Sequence, residues 1–263
     1  MTSPRILAVD WSGAVKGAAK KIWLAEATSD GVVVRVESGR TRAALATHLV
    51  VEAQHTPNLL VGLDFAFSLP MWFLRSRGLD SAPALWELAE REGEEWLRDC
   101  NPPFWGRRGR KRPELPEHFR GADRDVPAVA GITPKSVFQI NGGGAVGTGS
   151  IRGMPILRQL RDAGFAVWPF DARRLPMLVE IYPRILTGAV SKASKSERER
   201  YLSERYPALA ADVVVKASGS DDAFDAVVSA LVMAREIRDL DGFAMERAEG
   251  ARMEGAIWLP KGR

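Results

Sequence analysis

Acidic side chains stand at four places where an apolar neighbourhood makes a carboxylate costly. Asp10 closes the apolar run 6–9, Asp64 closes 59–63, and Glu180 interrupts the run 178–183. Asp221, Asp222 and Asp225 open the stretch 218–234, which at helical period is apolar nearly all round from Ala223 onward. Asp221, Asp222, Asp225 and Ser229 fall at helical offsets and share one stripe. Carboxylates in such settings need a cation or hydrogen-bond donors. Hard oxygen donors without cysteine or histidine favour magnesium or manganese. In α/β proteins ligand sites gather beyond the strand ends. Two such ions about 3.5–4 Å apart clamp an in-line phosphodiester displacement, one activating water and the other the leaving oxygen. We therefore expect Asp10, Asp64, Glu180 and Asp225 to carry catalysis, with Asp222 joining them as metal ligands.

Each acid also has a structural account. Asp10 and Asp64 can bond amides of their own turns, and Glu180 can pair with Arg184 or Arg174. At 218–221, Ser218 or Ser220 is a fitting N-cap, and acids in a first turn suit the helix dipole. That explains Asp221 and Asp222 but not Asp225, a full turn further in.

The elements that position these acids follow from periodicity. Residues 6–9, 21–27 and 32–37 read as three strands joined by short turns, an antiparallel meander. Residues 41–53 read as a helix and 59–64 as a buried strand, the start of a crossover arrangement. An acidic helix at 84–98 precedes a segment rich in proline, glycine and arginine. Helix 154–163, strands 165–168 and 178–183, a charged helix at 196–206 and the helix at 218–234 complete the core. The tail 254–258 is a short apolar piece expected to pack back on the sheet. The expectation is one α/β domain over 1–263, a mixed sheet flanked by helices, with 100–152 as an insertion.

Composition narrows the class. The chain has 263 residues, 46% hydrophobic and 27% charged, ordinary globular values. A net charge of +4 with 37 Lys plus Arg leaves room for a basic surface suited to a polyanion. A lone cysteine, Cys100, excludes an intramolecular disulfide and a thiolate-rich zinc site. No apolar run reaches membrane-spanning length and the start lacks a signal peptide's hydrophobic core, so the expected setting is the cytoplasm, with no membrane partner.

The motif series Val9-Asp10-Trp-Ser-Gly, Gly62-Leu-Asp64-Phe-Ala-Phe-Ser-Leu-Pro70, Val179-Glu180-Ile-Tyr-Pro183 and Asp221-Asp222-Ala-Phe-Asp225-Ala, then Glu254-Gly-Ala-Ile-Trp258, resembles that of the ribonuclease H-like nucleases grouped as domain of unknown function 429. The likeness spans nearly the whole chain in order. It implies a ribonuclease H-like five-stranded mixed sheet with an antiparallel start. It also implies Asp10 and Asp64 as metal ligands, completed by Glu180 and Asp222 or Asp225.

Two segments carry donors for a nucleic acid. The glycine-rich run 142–150 and its neighbours Lys135, Gln139, Asn141 and Arg152 can meet phosphate or a base edge. The run 107–112, with Arg107 and Arg110, lies beside Phe104 and Trp105, the aromatic-plus-basic composition of nucleic-acid grooves. Lys16 follows the first motif. A turn cluster and a solvated charge run are the bland accounts of these segments. Two other functions compete with a metal-dependent nuclease: an actin-like ATPase or phosphotransferase, and a non-catalytic nucleic-acid-binding module of the same fold.

Overall fold

The computed structural model describes residues 4–243 and 249–260. Strands β1 (Arg5–Asp10), β2 (Trp23–Ala27) and β3 (Val33–Ser38) form the expected antiparallel meander, with the short helix α1 (Ala18–Lys21) between the first two. Helix α2 (Arg42–His55) crosses to β4 (Leu59–Leu63), which pairs parallel to β1. Strand β6 (Met177–Glu180) pairs parallel to β4, and β5 (Ala166–Val167) parallel to β6. The sheet order is β3-β2-β1-β4-β6-β5. The mixed α/β sheet is as expected, but it has six strands rather than five because the two-residue β5 extends the edge beyond β6.

The remaining helices are α3 (Met71–Ser76), α4 (Ala82–Asp99), α5 (Gly121–Arg124), α6 (Gly147–Asp162), α7 (Pro183–Thr187), α8 (Lys195–Arg205), α9 (Ala211–Ser218), α10 (Asp221–Glu236) and α11 (Glu249–Glu254). Side chains alternate across the strands, so the sheet separates two cores. Leu7, Val9, Val61, Leu63 and Leu178 enter one with Leu45, Trp86 and Leu157 from α2, α4 and α6. Ile6, Ala8, Leu60, Met177 and Val179 enter the other with Phe224, Val228 and Met233 of α10. Burying each Val, Leu or Ile side chain contributes roughly 1.5–3 kcal/mol. Helix α10 is apolar all round because it lies across β1 and β2 and is covered in turn by α7 and α9. Gly62 permits the close approach: a Cβ there would lie 2.6 Å from Met233 Sδ.

Helix α6 begins seven residues before the expected 154. Glycine weakens a helix, so Gly147 and Gly149 suit a turn cluster in sequence, but in α6 Gly147 and Gly153 serve packing. A Cβ on Gly153 would lie 2.4 Å from the Phe65 ring, and one on Gly147 would lie 2.2 Å from the Val137 carbonyl oxygen. The segment 100–152 holds α5 and the first turns of α6, and is otherwise loop. The tail returns to the sheet as expected: Ile257 bridges Glu180, and the Trp258 amide donates to the Glu180 carbonyl at 2.8 Å. Among the described residues no helix is long and apolar enough to cross a membrane.

Candidate active site

The alternation that separates the cores also sorts the acids. Asp10 follows Ile6 and Ala8 onto the α10 face, and Asp64 follows Leu60 and Gly62 onto the same face. Ser220 caps α10 by accepting from the Ala223 amide at 3.0 Å, which places Asp221 and Asp222 in the first turn. Ser218 instead ends α9. Asp225, one turn further, is 7% exposed against the sheet.

The carboxyls of Asp10, Asp64, Asp222 and Asp225 share one electrostatic field. Burial pushes Asp10 well above the ordinary carboxylate range, and the charges of Asp64, Asp225 and Asp222 push it further. Burial, then Asp225, raises Asp64 to about 8 against Lys192, with Glu180 and Asp222 adding to the rise. Burial raises Asp225 to about 6 against the pull of Lys192, and raises Asp222 with help from Asp221. The Lys192 ammonium sits on Asp225 Oδ2. Asp225 Oδ1 is buried with no hydrogen-bond partner among the described residues.

These residues fit a hard divalent cation in chemistry. The donors are carboxylate oxygens, one of them is buried and unpartnered, and an ammonium already stands among them as a cation. They do not form a finished cage: among the described residues no three His, Cys, Asp or Glu side chains stand arranged to hold a metal ion. Mutual repulsion of unneutralised acids is a physical reason for that spacing.

Glu180 departs from the expected ligand set. As the residue after Val179 it points to the opposite face of the sheet, where Arg120 takes both its oxygens at 2.8 and 2.5 Å. The Phe67 amide adds a third bond at 2.9 Å. Its cation is thus neither Arg184 nor Arg174. Arg120, 1% exposed, also forks onto Asp123 at 2.7 and 3.2 Å and donates to the Glu254 carbonyl at 3.2 Å. The Glu254 carboxyl accepts the amides of Met71 and Gly121, each at 2.6 Å. This fully bonded group braces the turn after β4.

A cavity of about 1040 Å³ reaches Asp64 but not Asp10, Asp222 or Asp225, and Arg120 and Asp123 are in its lining. Asp64 and Glu180 border it with Trp11 and Phe65, whose ring centroids are 4.7 Å apart. Of the expected substrate contacts, Arg107, Lys135 and Asn141 line it, joined by Arg108. Lys16 and Arg110 are exposed and lie outside its lining. Arg152 lines the cavity but is already committed. It forks onto Glu94 at 2.6 and 2.8 Å and donates to the Gly13 carbonyl. Arg42 donates to the carbonyls of Ser12 and Ala14 at 2.9 and 3.0 Å. Two guanidinium groups therefore hold three successive carbonyls of the loop after Asp10. The same loop presses on α6: a Cβ on Gly13 would meet the Gly149 nitrogen at 2.4 Å, and Trp11 Nε1 donates to the Gly149 carbonyl at 3.1 Å.

Sequence reasoning missed Arg120, Lys192 and Arg42. Lys192 and Arg42 carry no local signal, since their partners lie at least 28 residues away (Arg42 to Ala14); Arg120 has Asp123 three residues on, but its partner at the site, Glu180, is 60 residues away. Comparison with protein-family models, curated proteins and solved structures found nothing that matches the chain.

Proposed function

We propose that the chain is a divalent-metal-dependent phosphodiesterase of ribonuclease H-like fold acting on nucleic acid. The observation that carries the reading is the convergence of Asp10, Asp64, Asp222 and Asp225 from two strand ends and one helix start, with an ammonium on Asp225 and with Asp64 bordering a cavity whose wall carries Arg107, Arg108 and Lys135. The antiparallel β1–β2–β3 start and the parallel β1–β4–β6 pairing support the fold reading.

Bound magnesium or manganese would supply an activated water and neutralise charge on the phosphodiester. Asp10, Asp64 and Asp225 would hold it, with Asp222 at the margin. Asp225 offers the unpartnered Oδ1. The basic wall of Arg107, Arg108 and Lys135 would meet backbone phosphates. Glu180, held by Arg120, fixes the turn after Asp64 through the Phe67 amide.

The test is incubation with labelled single-stranded, duplex, hybrid and branched nucleic acids, with magnesium, manganese or a chelator. Metal-dependent cleavage that disappears in Asp10→Asn and Asp225→Asn is expected. ATP turnover without cleavage would replace this reading with a phosphotransferase, and binding without cleavage with either metal would leave a binding module.

A further inference from the structure

Lys192 has no part in the chemistry proposed above, yet its placement is built. Its ammonium sits on Asp225 Oδ2, and its charge reaches Asp10, Asp64, Asp222 and Asp225, beside that of Lys21 on Asp222 and of Arg184 on Asp225. Arg198, only 5% exposed, donates to the carbonyl of Lys192 itself. The same guanidinium donates from Nε and a terminal nitrogen to the Ser218 carbonyl at 3.0 and 2.7 Å. Arg184 holds the carbonyls of Gly188 and Val190 at 3.1 and 3.0 Å. The loop 188–192 is thus gripped at three carbonyls. The arginine that grips Lys192 also grips the turn leading into α10, the helix that carries Asp225. Loop and helix are registered to each other, and the ammonium falls on one oxygen of Asp225 while the other stays unpartnered.

Resting on the metal reading above, we propose that Lys192 is a resident counter-ion that competes with the divalent cation for Asp225. In the metal-free chain the ammonium holds Oδ2. When the ion binds, the ammonium leaves that oxygen while its backbone stays anchored by Arg198. A divalent ion on Oδ1 would stand within a few ångström of the ammonium on Oδ2, where like charges repel strongly, so the two binding events oppose each other, and the opposition is reciprocal. Lys192 thereby weakens the hold of the acids on the ion, and the ion turns Lys192 out toward solvent.

The test titrates manganese by calorimetry into metal-free wild type, Lys192→Met and Lys192→Arg, at pH 8 and without substrate. Lys192→Met is expected to bind manganese about fivefold or more tightly than wild type, the low end of such couplings, and Lys192→Arg no tighter than wild type. A folded Lys192→Met that binds no tighter overturns the proposal. The wild type alone supplies a second readout, reductive methylation followed by peptide mass spectrometry. Lys192 should react slowly without metal, relative to the exposed Lys195, and faster at saturating manganese. An unchanged rate at saturation overturns the proposal even where Lys192→Met fails to fold. Binding by Lys192→Met alone would support it in its strongest form. If neither protein binds manganese, the metal reading falls, and the competition with it.

Discussion

Two groups of buried carboxylates occupy the same end of the sheet on opposite faces, and their compensation differs. On one face Arg120 meets Asp123 and Glu180 with every N–H of its guanidinium engaged, the last on the Glu254 carbonyl. On the other face Asp10, Asp64, Asp222 and Asp225 act on one another through their charges, and among the described residues an ammonium contacts Asp225 alone, leaving its other oxygen without a partner. A buried acid with all its bonds made is a brace, and breaking such a pair is strongly destabilising. Acids left short of partners are held in place by the rest of the fold and raise one another's proton affinity, which is the pattern of a functional site. Glu180 links the two groups: Arg120 holds both its oxygens, and its charge still raises Asp64.

Removing Arg120 breaks the contrast most severely. Arg120→Met leaves Asp123 and Glu180 buried without their cation and should lower unfolding free energy by about 3–5 kcal/mol, measured by urea denaturation. A loss under about 1 kcal/mol would mean that the brace is not one. Gly153→Ala tests position rather than charge. Its Cβ would drive into the Phe65 ring beside Asp64, an overpacking that costs typically about 1–3 kcal/mol. A lowered melting temperature and reduced cleavage should appear together.

Acidity gives a third test. Asp64 is raised from 3.8 to about 8, so between those values the folded chain keeps a proton that the unfolded chain has released. Its contribution to stability is complete below about pH 4 and is lost as pH rises toward 8. Glu52, lowered to about 2 by Arg35, contributes stability that is present above its ordinary 4.5 and lost as pH falls toward 2, so it stays out of the window from 5 to 8. Metal-free wild type should become less stable from pH 5 to 8, and Asp64→Asn should lose part of that slope. An identical slope in the variant would contradict the raised acidity. The smallest effect is expected at the cavity wall: Arg107→Ala or Lys135→Ala should weaken nucleic-acid binding evenly across sequences and reduce the salt slope by about 1 each.

The acidic edge was legible because the strands β1 and β4 are apolar runs that end in aspartate, and because α10 carries Asp225 beyond the reach of capping. The place of Glu180 on the other face is legible from its position between Val179 and Ile181 in an alternating strand, but its cation is not. Arg120 was illegible as a partner of Glu180 because only Asp123 is near it in sequence, while Glu180 lies 60 residues on and Glu254 134 residues on, and its own stretch is loop-rich without periodicity. Lys192 sits in a polar run that reads as solvent-facing. The early start of α6 was hidden for a different reason, since glycines chosen for close packing look the same in sequence as glycines chosen for turns.

A structure determined from crystals soaked in manganese, with anomalous scattering recorded, tests the central claim most directly. The account predicts manganese bound by Asp10, Asp64 and Asp225, with the Lys192 ammonium off Asp225 and Glu180 still on Arg120. Manganese absent from those three carboxylates at saturating concentration, or bound by Glu180 in place of Arg120, would contradict it.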